Sequence, residues 1–112
     1  MIFIVSKFLV RLLSFGSANA MALFPFVLAK EKNLAKYIIN HEKIHLKQQL
    51  ELLILPFYLW YIIEFLVLLV KYKNKKLAYI NICFEKEAYQ NHYNFIYRKK
   101  RKPYSFLEYY KK

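Results

Sequence analysis

The sequence predicts a mainly α-helical bundle associated with a membrane, and three observations support this. The chain has only 112 residues but is 58% hydrophobic and 20% aromatic. A domain of this size leaves much of its surface exposed, so it cannot bury so many large apolar side chains by itself. Residues 57–70, FYLWYIIEFLVLLV, are almost wholly apolar, and counted from Leu52 the run is long enough to cross a bilayer. The third observation is the scarcity of helix breakers, with one Gly and three Pro.

The charge of the chain indicates an anionic partner. Nineteen Lys and Arg stand against seven Asp and Glu, which gives a net charge of +12. Strong hydrophobicity together with this charge favours membrane lipids over a nucleic acid. The run 98–102, RKKRK, flanked by Tyr97 and Tyr104, could contact phosphates. A nucleic-acid binder has no need of the apolar run, however, and we expect no nucleic acid as a partner.

The first thirty residues read as two short segments. Residues 1–16 predict a helix lying in the membrane interface, with Lys7 and Arg11 on one face. A signal peptide cleaved after SANA is the alternative. Residues 20–29, AMALFPFVLA, predict an extended or edge-strand segment, because Pro25 restricts a strand to an edge or a bend.

Residues 34–97 predict the helical core of one domain that spans 1–112. A first helix covers 34–55 with Asn33 as its cap, and the apolar stretch 57–70 follows Pro56. The basic turn KYKNKK leads to a third helix over 76–97. Residues 98–112 predict a basic amphipathic tail. Cys83 is the only cysteine, which excludes an internal disulfide.

The first core helix carries His41, Glu42 and His45 in the pattern H-E-x-x-H. Residues four apart project from the same side of a helix, so the two histidines can bind one metal ion. Glu42 lies about 100° round the helix from His41 and can accept a proton from a water bound to that metal. A catalytic zinc site needs a third protein ligand and one open position.

The third ligand must come from another helix, because Gln48 and Glu51 occupy the positions where a glycine and a histidine follow the motif in other zinc sites. Residues 84–92, FEKEAYQNH, offer three candidates. Glu85 is favoured because it shares one helical face with Ala88, Tyr89 and His92, and the small alanine allows close helix packing. Glu87 and His92 remain as alternatives.

A metal site imposes a condition on the topology. If one helix ran unbroken over 34–72, Glu85 would lie about 25 Å from the level of His45. If the chain reverses near Pro56, the two residues come to similar levels, and we therefore expect a three-helix hairpin. Glu64 should then face inward toward a polar partner, because a carboxylate facing lipid is costly.

NHEKIH followed by EKEAY resembles the gluzincin metallopeptidases, in particular small membrane-associated relatives of heat-shock membrane proteases and CAAX prenyl proteases. The resemblance covers roughly residues 20–92. It implies that His41, His45 and Glu85 are zinc ligands, that Glu42 is the general base, and that a strand before the motif helix holds the substrate. Tyr89 stands where the family usually has Asp, and could supply a hydroxyl to a ligand or to the reaction's oxyanion.

The resemblance implies a zinc-dependent peptidase that acts on peptides or membrane-protein segments at the membrane. We expect a bacterial inner-membrane location, basic segments 71–76 and 98–102 on the cytoplasmic side, and assembly as a homo- or hetero-oligomer where partners exist. A non-enzymatic helical membrane protein with a structural or vestigial metal site is the alternative.

Overall fold

A computed structural model describes residues 2–14 and 20–110, and these are mainly helical, as predicted. A small sheet is formed by β1 (Ile2–Val5), β2 (Ala20–Leu23) and β3 (Phe26–Ala29). The helices are α1 (Lys7–Ser14), α2 (Lys36–Glu51), α3 (Leu55–Tyr72), α4 (Lys75–Asn81), α5 (Cys83–Asn91), α6 (Tyr97–Lys100) and α7 (Phe106–Tyr110).

The N-terminal segment is only partly helical, whereas the sequence predicts one helix over 1–16. Residues 2–5, IFIV, form β1 instead, since β-branched and aromatic side chains favour a strand. The Ser6 hydroxyl then accepts a hydrogen bond from the Leu9 amide and caps α1. The alternative cleavage site falls mostly on residues 15–19, which lie outside the described residues.

Residues 20–29 form a hairpin rather than one extended segment. The strand order is β1-β3-β2, so β2 is an edge strand as predicted and β3 is central. β3 pairs antiparallel with β2 and parallel with β1. Pro25 is compatible with this sheet because it lies in the turn between β2 and β3.

The chain reverses between α2 and α3, as the metal hypothesis requires. α2 begins after Ala35, which caps it without a side-chain bond, so Asn33 is not the cap that the sequence predicts. Leu53 and Ile54 take positive φ angles of 59° and 70° and make the turn without glycine. Such a conformation costs about 1–2 kcal/mol for each residue with a Cβ atom. Pro56 then fits the first turn of α3.

The predicted third helix over 76–97 is wrong as a single helix, because Ile82 has an extended conformation and separates α4 from α5. The Asn74 side chain accepts a hydrogen bond from the Leu77 amide and caps α4. Glu64 of α3 accepts a hydrogen bond from the Cys83 amide at 3.0 Å, at the start of α5. Glu64 therefore faces inward to polar partners, as predicted.

Two apolar clusters hold these elements together. An aromatic-rich cluster joins α3, α5 and α7, and its buried members are Phe57, Ile82, Cys83, Phe84 and Phe106. A smaller cluster joins the sheet to α2 and contains Ala22, Val27 and Leu46. α2 packs against both α5 and β2, which places its H-E-x-x-H motif beside the sheet edge and beside α5.

One helix of the described residues, α3, is long and apolar enough to cross a membrane. It has 18 residues and a mean hydropathy of 1.6, and only 6% of that stretch is buried within the protein. The structure therefore supports one candidate span within the described residues and gives no support to the membrane association of the predicted bundle as a whole.

Candidate metal centre

The structure brings together the three side chains that the sequence selects as metal ligands. His41 and His45 lie one turn apart on α2, and Glu85 lies in the first turn of α5. The Glu85 Oε1 atom is 3.1 Å from His41 Nε2 and 3.0 Å from His45 Nε2. All three residues are buried. The reversal between α2 and α3 therefore produces the convergence that the topological argument anticipates.

This donor set fits a divalent metal ion. Ligand atoms about 2.0–2.1 Å from a tetrahedral zinc are separated from one another by about 3.3 Å, close to the two measured distances. Two imidazoles and one carboxylate leave a fourth position free for water. The same donors also suit iron, cobalt or nickel, so the geometry indicates a metal site without selecting the metal.

His45 is oriented by a chain of buried polar side chains. Its Nδ1 donates to Gln48 Oε1 at 2.8 Å, which directs Nε2 toward Glu85. Gln48 Nε2 in turn donates to Glu87 Oε1 at 2.9 Å and to the Phe84 carbonyl at 3.1 Å. Such partners fix the ring orientation of a ligating histidine and strengthen metal binding.

Glu87 is therefore a support for the site and not the alternative third ligand. Its side chain is fully buried, and the guanidinium of Arg101 donates to both of its oxygens at 2.7 and 3.0 Å. Arg101 also donates to Glu51 of α2 at 2.7 Å, and the Tyr97 hydroxyl donates to Glu87. The C-terminal segment is thus tied to the motif helix by charge-assisted hydrogen bonds.

These bonds correct the interpretation of the basic run 98–102 as a free surface for lipid or phosphate. The guanidinium of Arg101 forms ion pairs with Glu51 and Glu87. Arg98 donates to Asn40 at 2.9 Å. Two of the five cationic side chains in the run are therefore bonded within the protein.

His41 and Glu85 have supporting partners of their own. His41 Nδ1 shares a hydrogen bond with His92 Nδ1 at 3.0 Å, so His92 supports a ligand rather than acting as one. The Tyr61 hydroxyl of α3 donates to Glu85 Oε2 at 2.7 Å and leaves Oε1 directed at the histidines. Each of the three ligands is thus held by a second side chain.

The charges of the cluster are balanced by protons in the absence of metal. Burial lowers the pKa of His45, but Glu85, Glu42 and Gln48 together outweigh burial and raise it to about 9. Burial raises the pKa of Glu85, but the two histidines hold it well below its usual range. Burial outweighs the carboxylate at His41 and lowers its pKa. A bound cation would take the place of the His45 proton.

Glu42 lies at a cleft beside the three ligands. The cleft has a volume of about 610 Å³ and is lined by Ala20, Tyr37, Ile38, His41, Glu42, Phe65, Lys75, Lys76, Tyr79, Tyr89 and His92. Burial, with a smaller contribution from Glu85, raises the pKa of Glu42 to about 8 against the effect of His45. The position is suited to a carboxylate that exchanges a proton with a molecule in the cleft.

Tyr89 lies at the site but does not hydrogen bond to a ligand. Its ring packs edge-on against the His41 ring with centroids 4.5 Å apart. Its hydroxyl donates to the Tyr79 hydroxyl at 3.3 Å, and 43% of the residue is exposed. The hydrogen-bond partner of His41 Nδ1 is His92 and not Tyr89.

Gln49 connects the edge strand to the motif helix. Its Nε2 donates to the Ala22 carbonyl at 2.8 Å, and its Oε1 accepts from the Phe24 amide at 2.7 Å. The Tyr58 hydroxyl also donates to the Ala22 carbonyl. The C-terminal end of β2 is thereby fixed to α2, while Ala20 at its other end lines the cleft.

Three side chains that contact residues of the site escape sequence reasoning. Tyr61 and Tyr79 are aromatic residues in aromatic-rich helices, and Arg101 is one cation in a basic run. Nothing in their local pattern distinguishes them from their neighbours. Their partners lie on other elements, and only the assembled fold shows them.

Comparison with models of known families, with curated proteins and with solved structures found no match. The geometry of the cluster and of its cleft is therefore the basis for assigning a function.

Proposed function

We propose that the protein is a zinc-dependent metallopeptidase of gluzincin type that acts at a membrane. The observation that carries the proposal is the convergence of His41, His45 and Glu85 from two helices, with Glu42 beside them in a cleft. A structural zinc site is closed by four protein ligands, whereas three ligands and an adjacent carboxylate are typical of a hydrolytic site.

The chemistry divides between the metal and the side chains. A zinc ion held by the three ligands would polarise the scissile carbonyl and acidify a water molecule. Glu42 accepts the proton of the attacking water and delivers it to the leaving amine nitrogen. Gln48, Tyr61 and His92 keep the ligands oriented throughout.

The Tyr79 and Tyr89 hydroxyls supply the oxyanion donor in this proposal. The two hydroxyls share one hydrogen bond, so one of them keeps a proton for an acceptor in the cleft that both residues line. A hydroxyl directed at a developing negative charge stabilises the transition state more than the substrate.

The edge strand β2 provides a surface for an extended peptide. β3 occupies one side of β2, and the Ala22 carbonyl on the other is occupied by Gln49 and Tyr58. The end of β2 at Ala20 lies at the cleft. A peptide that pairs with this end is held by backbone hydrogen bonds beside Glu42.

The outward face of α3 supports location at a membrane. Its aliphatic side chains form one stripe at spacings of three and four, and each is 52% exposed or more: Leu55, Leu59, Ile62, Ile63, Leu66, Val67 and Val70. The polar groups Tyr58, Tyr61 and Glu64 point into the protein. Eighteen residues extend about 27 Å, close to the thickness of a hydrocarbon core.

Lysines follow this stripe at the C-terminal end of α3. Lys71 lies in the last turn of α3 and Lys73 caps its end, where both can contact anionic head groups. By the positive-inside rule this turn lies on the cytoplasmic side.

Metal analysis of the purified full chain tests the proposal. We expect about one zinc per chain, with loss of most of it in His45→Ala, because a ligand is removed. Glu42→Gln should keep the zinc but lose at least about 100-fold in peptide cleavage, since it removes the proton acceptor. Glu108→Gln on exposed α7 is the matched control and should retain both properties.

The same variants separate the alternative, a protein with a structural metal. Zinc without cleavage of any peptide in the wild type would favour that alternative. Absence of any bound metal in the wild type would refute the peptidase proposal and leave the alternative with a vestigial site.

A further inference from the structure

The cleft beside the candidate metal ligands is lined by two cations and one acid. Lys75 and Lys76 line it from the start of α4. Among the described residues that line it, Glu42 is the sole acid, and it follows the candidate ligand His41 in the sequence. A substrate in this cleft therefore meets more positive than negative charge.

The charges of the two lysines are available to a ligand. Both side chains are exposed, and no carboxylate of residues 2–14 and 20–110 forms an ion pair with them. In this they differ from Arg101, whose guanidinium is held by two carboxylates. The Asn74 side chain accepts a hydrogen bond from the Leu77 amide and caps α4. This cap holds in place the first turn of α4, where the two lysines lie.

Much of the rest of the lining is aromatic. It includes Tyr37, Phe65, Tyr79 and Tyr89. Aromatic walls favour large apolar side chains through burial and edge-to-face contacts. The lining as a whole suits a ligand that combines an apolar body with a negative group.

We infer that this cleft selects peptides that carry a carboxylate, bound by Lys75 and Lys76, next to an apolar segment at the scissile bond. The inference rests on the proposed peptidase function and adds the substrate class to it. The carboxylate is either an Asp or Glu side chain or the peptide's own C-terminus. Opposite charges across an interface give specificity more than affinity, so the effect should appear mainly as discrimination between peptides.

Matched peptides test the selectivity. The full chain in uncharged detergent is given C-terminally amidated fluorogenic peptides that differ at one position, Glu, Gln or Lys. We expect kcat/KM to fall about 3- to 10-fold from Glu to Gln and further to Lys, since each exposed ion pair contributes modestly. Salt should reduce the preference. A Gln peptide with a free C-terminal carboxylate tests whether the lysines bind the peptide's own C-terminus.

Charge reversal supplies the discriminating control. Lys75→Glu/Lys76→Glu should reverse the preference and favour the Lys peptide. Lys71→Glu/Lys73→Glu makes the same change in net charge on residues that do not line this cleft, and should leave the preference intact. The inference would be overturned if the amidated Glu, Gln and Lys peptides were cleaved equally and a free C-terminal carboxylate on the Gln peptide gave no increase. Equal effects of the two double variants on the preference would also overturn it.

Binding to the Glu42→Gln variant keeps this test separate from the test of catalysis. Fluorescence anisotropy with the same peptides should show the same order of affinity. If the wild type cleaves no peptide, the peptidase proposal fails and the anisotropy alone decides whether the cleft selects carboxylates. Equal affinities for all the peptides would overturn the inference even if cleavage occurs.

Discussion

α2 and α3 are consecutive helices, and both reverse the usual distribution of polar and apolar side chains. In α2 the buried residues are mostly polar: Asn40, His41, His45, Gln48 and Gln49, beside Ile44 and Leu46. In α3 the exposed residues are mostly aliphatic. Each reversal has its own physical cause.

The polar groups in α2 are buried because each has a partner. Within the described residues, no buried side-chain nitrogen or oxygen lacks a hydrogen bond. A buried network of this kind stabilises a unique arrangement only when every member is satisfied. The aliphatic side chains of the α3 stripe are half exposed or more and are compatible with lipid. α2 therefore depends on specific pairings, and α3 depends on its surroundings.

The largest expected effect is on the α3 side of this comparison. Replacing Leu59, Leu66 and Val70 with Asn should lower the vesicle partition coefficient of the protein by about a thousandfold, since about 4 kcal/mol of apolar transfer is lost. Flotation with vesicles measures this. Ile96→Asn, at a similarly exposed residue outside α3, should have little effect. Unchanged flotation of the triple variant would contradict a lipid-facing α3.

The next effect concerns the pairings that hold α2. Arg101→Leu should lower the free energy of unfolding by about 3–5 kcal/mol, because Glu87 would be left buried without its cation. Chemical denaturation in detergent, followed by circular dichroism, measures this. Lys99→Leu, at an exposed residue of α6, is the control. Arg101→Leu with Glu87→Leu should recover part of the loss, and no recovery would argue against the pairing.

Gln48 and Gln49 are adjacent buried amides of α2 whose partners differ, so their roles can be tested separately. Gln48→Leu should weaken zinc binding by about 10- to 100-fold, since it removes the partner of His45. Gln49→Leu should leave zinc affinity unchanged and raise KM for a peptide, since it releases β2. Competition with a chromophoric chelator measures the affinity. Equal losses of zinc in both variants would mean a general disturbance of α2.

The smallest effect tests the inward face of α3. Glu64→Gln should lower the free energy of unfolding by about 1 kcal/mol, because a charged acceptor of the Cys83 amide becomes neutral. Thermal unfolding at fixed detergent concentration measures the change. Glu31→Gln at an exposed residue should have no such effect. If Glu64→Gln lowered the free energy of unfolding as much as Arg101→Leu does, α3 would depend on specific polar pairings in the same way as α2.

The ligand cluster was predictable because it depends on local periodicity and one distance condition. The four-residue spacing places His41 and His45 on one face. The helical face of Glu85, together with a reversal near Pro56, selects it over Glu87. These inferences needed only helix geometry, and the structure agrees with them.

The supporting side chains were not predictable in the same way. Arg101, for example, pairs with Glu51, fifty positions earlier in the chain. The reversal itself uses Leu53 and Ile54 in the left-handed region, where sequence rules expect Gly or Asn. The side chains at residues 2–5 favour a strand, but the pairing of β1 with β3, which begins at Phe26, is not visible in any local pattern.

Tyr61 connects α3 to the candidate metal centre. The helix whose outer side is aliphatic also supplies, from its inner side, the hydroxyl that holds the Glu85 carboxylate. A tilt or vertical shift of α3 relative to α5 therefore acts directly on that 2.7 Å bond. If α3 spans a bilayer as we propose, a change in bilayer thickness would reach the candidate metal centre through this carboxylate.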